Sequence, residues 1–112
     1  MGTNTEVVIA FTTLPLGSDV RTISRILVED RLAACVTTHG PVCSVYRWHG
    51  KIEEAQEQSL VIKTTRARVG LLCERLRQLH PYELPEFVVV PVSSGNGEYL
   101  DWIEESTRIG GV

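Results

Sequence analysis

The segment QLHPYELPEF (residues 78–87) concentrates side chains that could do chemistry. It places an imidazole (His80), a phenol (Tyr82) and two carboxylates (Glu83 and Glu86) close together around two prolines. Imidazole with carboxylate is a ligand set that suits divalent copper or zinc. Two such ligands from one chain would form only a weak and open metal site, unless other chains contribute.

The same segment also has a purely structural explanation. His80 ends a predicted helix, where a protonated imidazole is favoured by the helix dipole. Pro81 and Pro85 restrict their own φ angles and push the residues before them away from helical geometry. A simple connector would not need this stiffness, so the segment favours preorganised polar groups while the structural explanation stays open.

The other histidines and the cysteines form weaker patterns. Neither His39 nor His49 has a second metal ligand at i+2 or i+4. Cys35, Cys43 and Cys73 are an odd number of thiols without CxxC spacing, which disfavours both a disulfide framework and a zinc site. Buried or partly buried free thiols are therefore expected.

SVYRWHGK (residues 44–51) is the second unusual segment. Tyr46 and Trp48 are two residues apart, so both rings face the same side of a strand. The strand is predicted to project beyond the main sheet, where the chain has little core to cover them. Large aromatic residues in such places often bury against another subunit, and edge strands must be paired or covered. The segment therefore predicts a homo-oligomer.

The elements that must position these groups follow from the spacing of apolar residues. The predicted strands cover residues 6–14, 34–48, 52–65 and 87–92, and the predicted helices cover 18–34 and 66–80. A short C-terminal helix within 93–106 is predicted to face inward with Tyr99, Trp102 and Ile103. This order predicts an α+β, ferredoxin-like βαββαβ sandwich with a long hairpin between the second and third strands (β2–β3). A single domain, 1–112 with a core over about 6–106, is expected.

Composition restricts the classes of function. The chain has 112 residues, 43% of them apolar, and 11 basic against 14 acidic residues, giving a net charge of -3. Charges of both signs are spread along the chain, which argues against a nucleic-acid surface. No uncharged apolar run approaches the roughly 20 residues that a membrane helix needs. The N-terminus lacks a secretory pattern, so we expect a cytoplasmic protein without nucleic-acid or membrane partners.

Five segments, taken together, resemble the CutA divalent-cation-tolerance family. They are RLAACVT (31–37), SVYRWHGKIEE (44–54), LVIKTT (60–65), LHPYELPEFVVVPV (79–92) and GEYLDWI (97–103). The similarity runs in order from about residue 6 to 105. It implies a ferredoxin-like protomer in a tight homotrimer, with each β2–β3 hairpin extending a sheet across a subunit boundary. The family is not an established enzyme family, so no catalytic residue is expected.

The resemblance also implies site residues. Some family members bind copper, and the matching ligand positions are His80 and the neighbourhood of Glu86. The expected ligand is Cu²⁺ or another divalent cation, bound weakly. The family's polar pocket at the subunit junctions matches Lys63, Tyr82 and Glu86, with Trp48 nearby as a wall.

Three positions depart from the family's pattern. Phe11 stands where some members carry a cysteine, which removes the thiolate that would favour monovalent copper. His49 stands where an acidic residue is usual, and the order of Gly40 and Pro41 is reversed. The first departure bears directly on copper binding.

Two alternative functions stay open. Trimeric signalling proteins of the PII kind have a similar topology, and Lys63 and Tyr82 could hold an anionic metabolite in a small-molecule sensor. Alternatively, the trimer is purely structural and the polar loop seals the subunit junction. An acyl-phosphate hydrolase and an RNA-recognition module are disfavoured, since the Gly-rich phosphate loop with arginine and the aromatic RNP1 motif have no counterpart in the sequence.

Overall fold

The computed structural model describes residues 6–109, which form four strands and three α-helices. They are β1 (Val7–Pro15), α1 (Val20–Glu29), β2 (Cys35–Trp48), β3 (Lys51–Thr65), α2 (Val69–Leu79), β4 (Val88–Pro91) and α3 (Gly97–Thr107). This order confirms the predicted α+β, ferredoxin-like βαββαβ arrangement with its long hairpin and C-terminal helix. Within the same residues, no helix is long and apolar enough to cross a bilayer.

Helix α1 is shorter than the predicted 18–34. It begins after Asp19, whose carboxylate accepts a hydrogen bond from the Thr22 amide at 3.2 Å. It ends at Glu29, because Arg31 adopts a left-handed φ of 60° that a helix cannot continue. The amides of Leu32 and Ala33 then donate to the carbonyl oxygen of Leu27, which closes the helix end.

The strands form one antiparallel sheet in the order β2-β3-β1-β4. Burial alternates along all of β1 and from Leu60 to Thr64 on β3, and the even-numbered side chains there face helices α1 and α2. We call this the helix-covered face. Its buried apolar cluster comprises Ala10, Leu14, Leu27, Leu32, Ala33, Leu60, Ile62, Leu72 and Leu76.

The opposite side of the sheet, the open face, carries the odd-numbered side chains of β1 and β3. There Phe11 lies between Val61 and Val88 on the neighbouring strands. Helix α3 covers one end of this face, where the hydroxyls of Thr107 and Thr65 are 3.3 Å apart. Most of the open face has no helix over it.

The prediction that α3 turns three apolar residues inward was wrong for two of them. Ile103 is 1% exposed, but Tyr99 and Trp102 are 40% and 45% exposed. The helix packs on the end of the sheet along its Ile103 and Thr107 side. The two aromatic rings, 5.4 Å apart, therefore lie beside the open face instead of under the helix.

The β2–β3 hairpin extends beyond the rest of the sheet. Pairing of β1 with β3 ends at Glu57, so residues 43–56 pair only with each other. We call this part the arm. The register of β2 against β3 shifts between His39 and Val42, around Gly40. A side chain at Gly40 would meet the backbone of Gln58 at 3.3 Å, which explains a glycine at this crossing.

Candidate functional site

Residues 80–87, which include Pro81 and Pro85, form a segment that we call the loop. A cavity of about 610 Å³ lies where the arm meets this loop. The arm contributes Tyr46 and Trp48, and β3 contributes Glu57. The loop contributes Tyr82 and Glu86. The fold therefore brings together three of the predicted site residues, Trp48, Tyr82 and Glu86.

The aromatic wall of this cavity follows from strand alternation. Tyr46 pairs with Glu53 and Trp48 pairs with Lys51, so both rings lie on the same side of the arm, as their spacing predicts. Tyr46 is 43% exposed. Trp48 contacts His49 edge to face, with ring centroids 4.6 Å apart, at the turn of the hairpin. The wall is thus present within one chain, with much of it accessible.

The floor of the cavity contains a buried carboxylate that sequence reasoning missed. Glu57 is 6% exposed, and its Oε2 atom accepts a hydrogen bond from the Tyr82 hydroxyl at 2.7 Å. Burial, and then the nearby Glu57 carboxylate, raise the pKa of Tyr82 well above its usual range. Tyr82 therefore stays protonated and remains a donor. Nothing in the sequence distinguishes Glu57 from Glu53 or Glu54.

His80 holds the loop against the sheet. It follows the last residue of α2, as predicted, and is 8% exposed. Its Nδ1 accepts a hydrogen bond from the Tyr82 amide at 3.2 Å, and its Nε2 lies within hydrogen-bond distance of the Thr13 carbonyl oxygen. Since an amide can only donate and a carbonyl can only accept, these partners assign a neutral ring protonated at Nε2. Burial lowers the pKa of His80, which favours the same neutral form.

A second cavity, of about 310 Å³, contains both predicted metal ligands. His80 and Glu86 line it together with Cys73 and Glu83. Glu83 and Glu86 also line the larger cavity, so the two cavities share an acidic border. Among residues 6–109, however, no three histidine, cysteine, aspartate or glutamate side chains converge closely enough to hold a metal ion.

Lys63 lies apart from both cavities. Its ammonium donates a hydrogen bond to the Tyr99 hydroxyl at 3.2 Å and sits 5.4 Å from the centre of that ring. The bond to Tyr99 raises the pKa of Lys63. Within one chain, the polar pocket that the resemblance implied is therefore divided. Tyr82 and Glu86 lie at one end of the molecule with Trp48, and Lys63 lies on the open face.

Phe11, at the position of the missing thiol, lines neither of the two cavities. It pairs with Val61 and Val88 in the middle of the open face. Its neighbour Thr12 points to the other side of the sheet, where its hydroxyl donates to the Glu86 carbonyl oxygen at 2.7 Å. The Thr12 bond anchors the loop, whereas the Phe11 ring adds apolar surface.

Comparison with known proteins identifies relatives along nearly the whole described chain. The family model described as CutA1 divalent ion tolerance protein matches residues 8–106. A divalent-cation tolerance protein CutA from Thermus thermophilus is 48% identical over 95 residues, covering 85% of this chain and 92% of the relative. A mouse protein named CutA is 44% identical over 88% of this chain, but this chain spans only 56% of that protein's length.

Two solved structures have the same fold. CutA from Xylella fastidiosa superposes with a TM-score of 0.88 at 48% identity, over 92% of this chain and 99% of that one. A PII-like protein CutA from Nostoc superposes with a TM-score of 0.84 at 39% identity, over 92% of this chain and 99% of that one. Sequence and fold therefore agree on a single family.

Proposed function

The chain belongs to the CutA1 divalent ion tolerance family, and from that premise we propose that it is a homotrimeric, non-catalytic protein that binds divalent cations weakly. The proposed ligands are His80 and Glu86, with copper(II) as the cation to test first. The observation that carries this proposal is that both side chains line one cavity, next to a further carboxylate and a thiol. Imidazole and carboxylate donors suit divalent copper.

The hydrogen bonds of His80 explain why binding should be weak. A cation can use the Nδ1 lone pair only after the Tyr82 amide has given it up. Leaving a buried donor without a partner costs about 1–3 kcal/mol, which subtracts directly from the affinity. A third and fourth donor would have to come from water or from a second copy of the chain.

The open face supports the homotrimer. Val88 and Val90 are 51% and 38% exposed, and they pair with the half-buried Phe11 and Ile9 of β1. Contiguous apolar surface of this kind marks an interaction site in proteins that are stable in water. The projecting arm adds a second surface that a neighbouring subunit could cover. The long β2–β3 hairpin that the resemblance assigns to subunit contacts therefore has exposed apolar area near its base.

The cysteines support the cytoplasmic location that the sequence predicts. Cys35, Cys43 and Cys73 are all free thiols, and Cys43 is exposed. Thiols of this kind persist in reducing compartments, whereas oxidising ones favour disulfides. We include the cytoplasm in the proposal on this ground.

A second candidate function is a small-molecule sensor, which the larger cavity favours. Its volume of about 610 Å³ lies within the range of about 300–1,000 Å³ that is typical of sites for small molecules. The Nostoc relative, whose structure is described as PII-like, has the same fold. A purely structural trimer is the remaining alternative, and it would bind neither copper(II) nor a small molecule.

Calorimetric titration of copper(II) into the parent, His80→Ala and Glu86→Gln tests the metal site. We expect heat of binding in the parent and affinity at least about 10-fold lower in either variant, since each loses one of two ligands. Glu54→Gln, which removes the same charge from an exposed position of the arm, is the matched control. Equal binding in all four proteins would refute the assignment of His80 and Glu86, and absence of binding in the parent would refute metal binding altogether.

A further inference from the structure

The larger cavity is too large for a bare metal ion. Its volume of about 610 Å³ compares with about 30 Å³ for one water molecule in the liquid. A metal ion also needs several oxygen, nitrogen or sulfur donors around one point, and residues 6–109 offer no such group of three. The dimensions and the lining therefore indicate an organic molecule.

The charge of the lining selects a cation. Glu57, Glu83 and Glu86 contribute three carboxylates, whereas Arg47 is the single basic residue of the lining. Arg47 pairs with Ile52 and alternates with Tyr46 and Trp48, so its side chain leaves from the other side of the arm. Lys63, the residue expected to attract an anionic metabolite, is bonded to Tyr99 away from this cavity.

The floor of the cavity offers an acceptor for a charged donor. Glu57 is 6% exposed, and the Tyr82 hydroxyl occupies its Oε2 atom. Among the hydrogen bonds of residues 6–109, none reaches its second carboxylate oxygen, although the residue lines the cavity. A carboxylate oxygen accepts hydrogen bonds, so this second oxygen of Glu57 can accept one from an N–H or O–H group of a ligand.

The walls favour the same charge. The rings of Tyr46 and Trp48 line the cavity from one side of the arm, and the Tyr82 ring lines it from the loop. The face of an aromatic ring attracts a cation within about 6 Å, most strongly when the ring is that of tryptophan. Aromatic walls with a buried carboxylate are therefore complementary to an ammonium group on an apolar body.

We propose that this cavity binds an organic ammonium ion, which packs against Tyr46 and Trp48 and donates a hydrogen bond to the free oxygen of Glu57. The inference rests on the proposed function only in taking this end of the molecule as a ligand-binding region. The ligand is an organic ammonium ion instead of a divalent cation, and the residue that binds its charge is Glu57 instead of His80.

Three probes of the same size test the charge preference at neutral pH: benzylammonium, benzyl alcohol and benzoate. Titration of the intact protein, in whatever assembly it forms, should give a dissociation constant for benzylammonium at least about 10-fold lower than for benzyl alcohol, because a charged hydrogen bond and the ring contacts add to the same apolar burial. Benzoate should bind most weakly. Equal binding of benzoate and benzylammonium, or binding of none of the three, would overturn the proposal.

Matched variants locate the binding. Glu57→Gln keeps an oxygen for the Tyr82 hydroxyl but removes the charge, and should weaken benzylammonium about 10-fold or more while leaving benzyl alcohol unchanged. Glu54→Gln removes the same charge from an exposed residue that does not line the cavity, and should change neither. If Glu57→Gln lowers the melting temperature, Trp48→Leu provides the second variant, with an expected loss of about 2- to 30-fold. Benzylammonium affinity that is the same in parent, Glu57→Gln and Trp48→Leu would place the ligand elsewhere.

Copper titration of the same samples distinguishes the two proposals. Benzylammonium binding without copper binding would leave the ammonium site standing and refute the metal site. Copper binding that depends on His80, with no charge preference among the probes, would do the reverse.

Discussion

The helix-covered face and the open face of the sheet use the same strands but opposite side chains. On β3, Leu60 is fully buried beneath the helices, while the adjacent Val61 points to the open face and is half-buried. On β1, Ala10 is fully buried and Phe11 is half-buried. Each strand thus contributes one row of fully buried side chains to the core and another row of partly exposed side chains to the open face.

Polar groups follow the same division. On the helix-covered face, Thr64 donates to the Leu32 carbonyl oxygen at 2.8 Å and Thr12 donates to the Glu86 carbonyl oxygen at 2.7 Å. These hydroxyls hold neighbouring segments in place within the chain. On the side of the arm and the cavity, Glu57 satisfies Tyr82 but keeps an accepting oxygen. The chain thus completes its apolar core on the helix-covered face and leaves apolar residues exposed on the open face.

The largest effect is expected from a cavity in the helix-covered face. Leu60→Ala removes a fully buried side chain from the core cluster and should lower the free energy of unfolding by about 2–5 kcal/mol. Urea unfolding at fixed protein concentration measures the loss. Val61→Ala, one residue along on the open face, is the control and should cost less. Equal losses at the two positions would contradict the division between the faces.

A charge on the open face should affect assembly more than folding. Val88 is 51% exposed in the single chain, so Val88→Asp leaves the protomer folded but buries a charge in the proposed trimer, at a cost of several kcal/mol. Sedimentation velocity should show the trimer in the parent and smaller species in the variant.

Val28→Asp is the control for that experiment, since Val28 is 41% exposed on the outer side of α1. It makes the same chemical change away from the open face and should leave the assembly intact. A parent that sediments as a monomer, or a Val88→Asp variant that remains trimeric, would refute the proposed interface.

The smallest effect is expected in the loop between α2 and β4, where the protonation of His80 makes stability depend on pH. Burial lowers the pKa of His80 below its unfolded value near 6.5. Above pH 6.5 the His80 ring is neutral in both the folded and the unfolded chain. As the pH falls below the unfolded pKa towards the folded pKa, the ring of the unfolded chain binds a proton more readily than that of the folded chain, and stability falls. Unfolding at several pH values should show this loss in the parent, and less of it in His80→Gln.

His39→Gln, which changes an exposed histidine of β2, should keep the parental pH dependence. If all three proteins lost stability equally between pH 7 and 5, His80 would not be the group responsible. The protonated ring would also place two donors, Nδ1–H and the Tyr82 amide, against each other, so acid should loosen the loop first.

The sequence alone predicted much of the fold because its pattern is local. The run of β-branched residues over 6–14 predicts a strand, and the structure places β1 there. The common orientation of Tyr46 and Trp48 follows from their spacing and was confirmed by the register of the hairpin. The inward direction of Tyr99 and Trp102 was wrong, since an apolar stripe does not reveal how much sheet remains for it to cover.

What the sequence determined by itself was the family and the order of elements, because both are carried by motifs and spacings that are local in the chain. What only the tertiary structure decided was which polar groups are buried together. Glu57 meets Tyr82 across 25 positions, and His80 meets Thr13 across 67. Glutamates 53, 54 and 57 have the same chemistry along the chain, and only packing of the loop on β3 removes one of them from water. Burial, and with it the hydrogen bonds and shifted pKa values of the site, comes from contacts that no local pattern encodes.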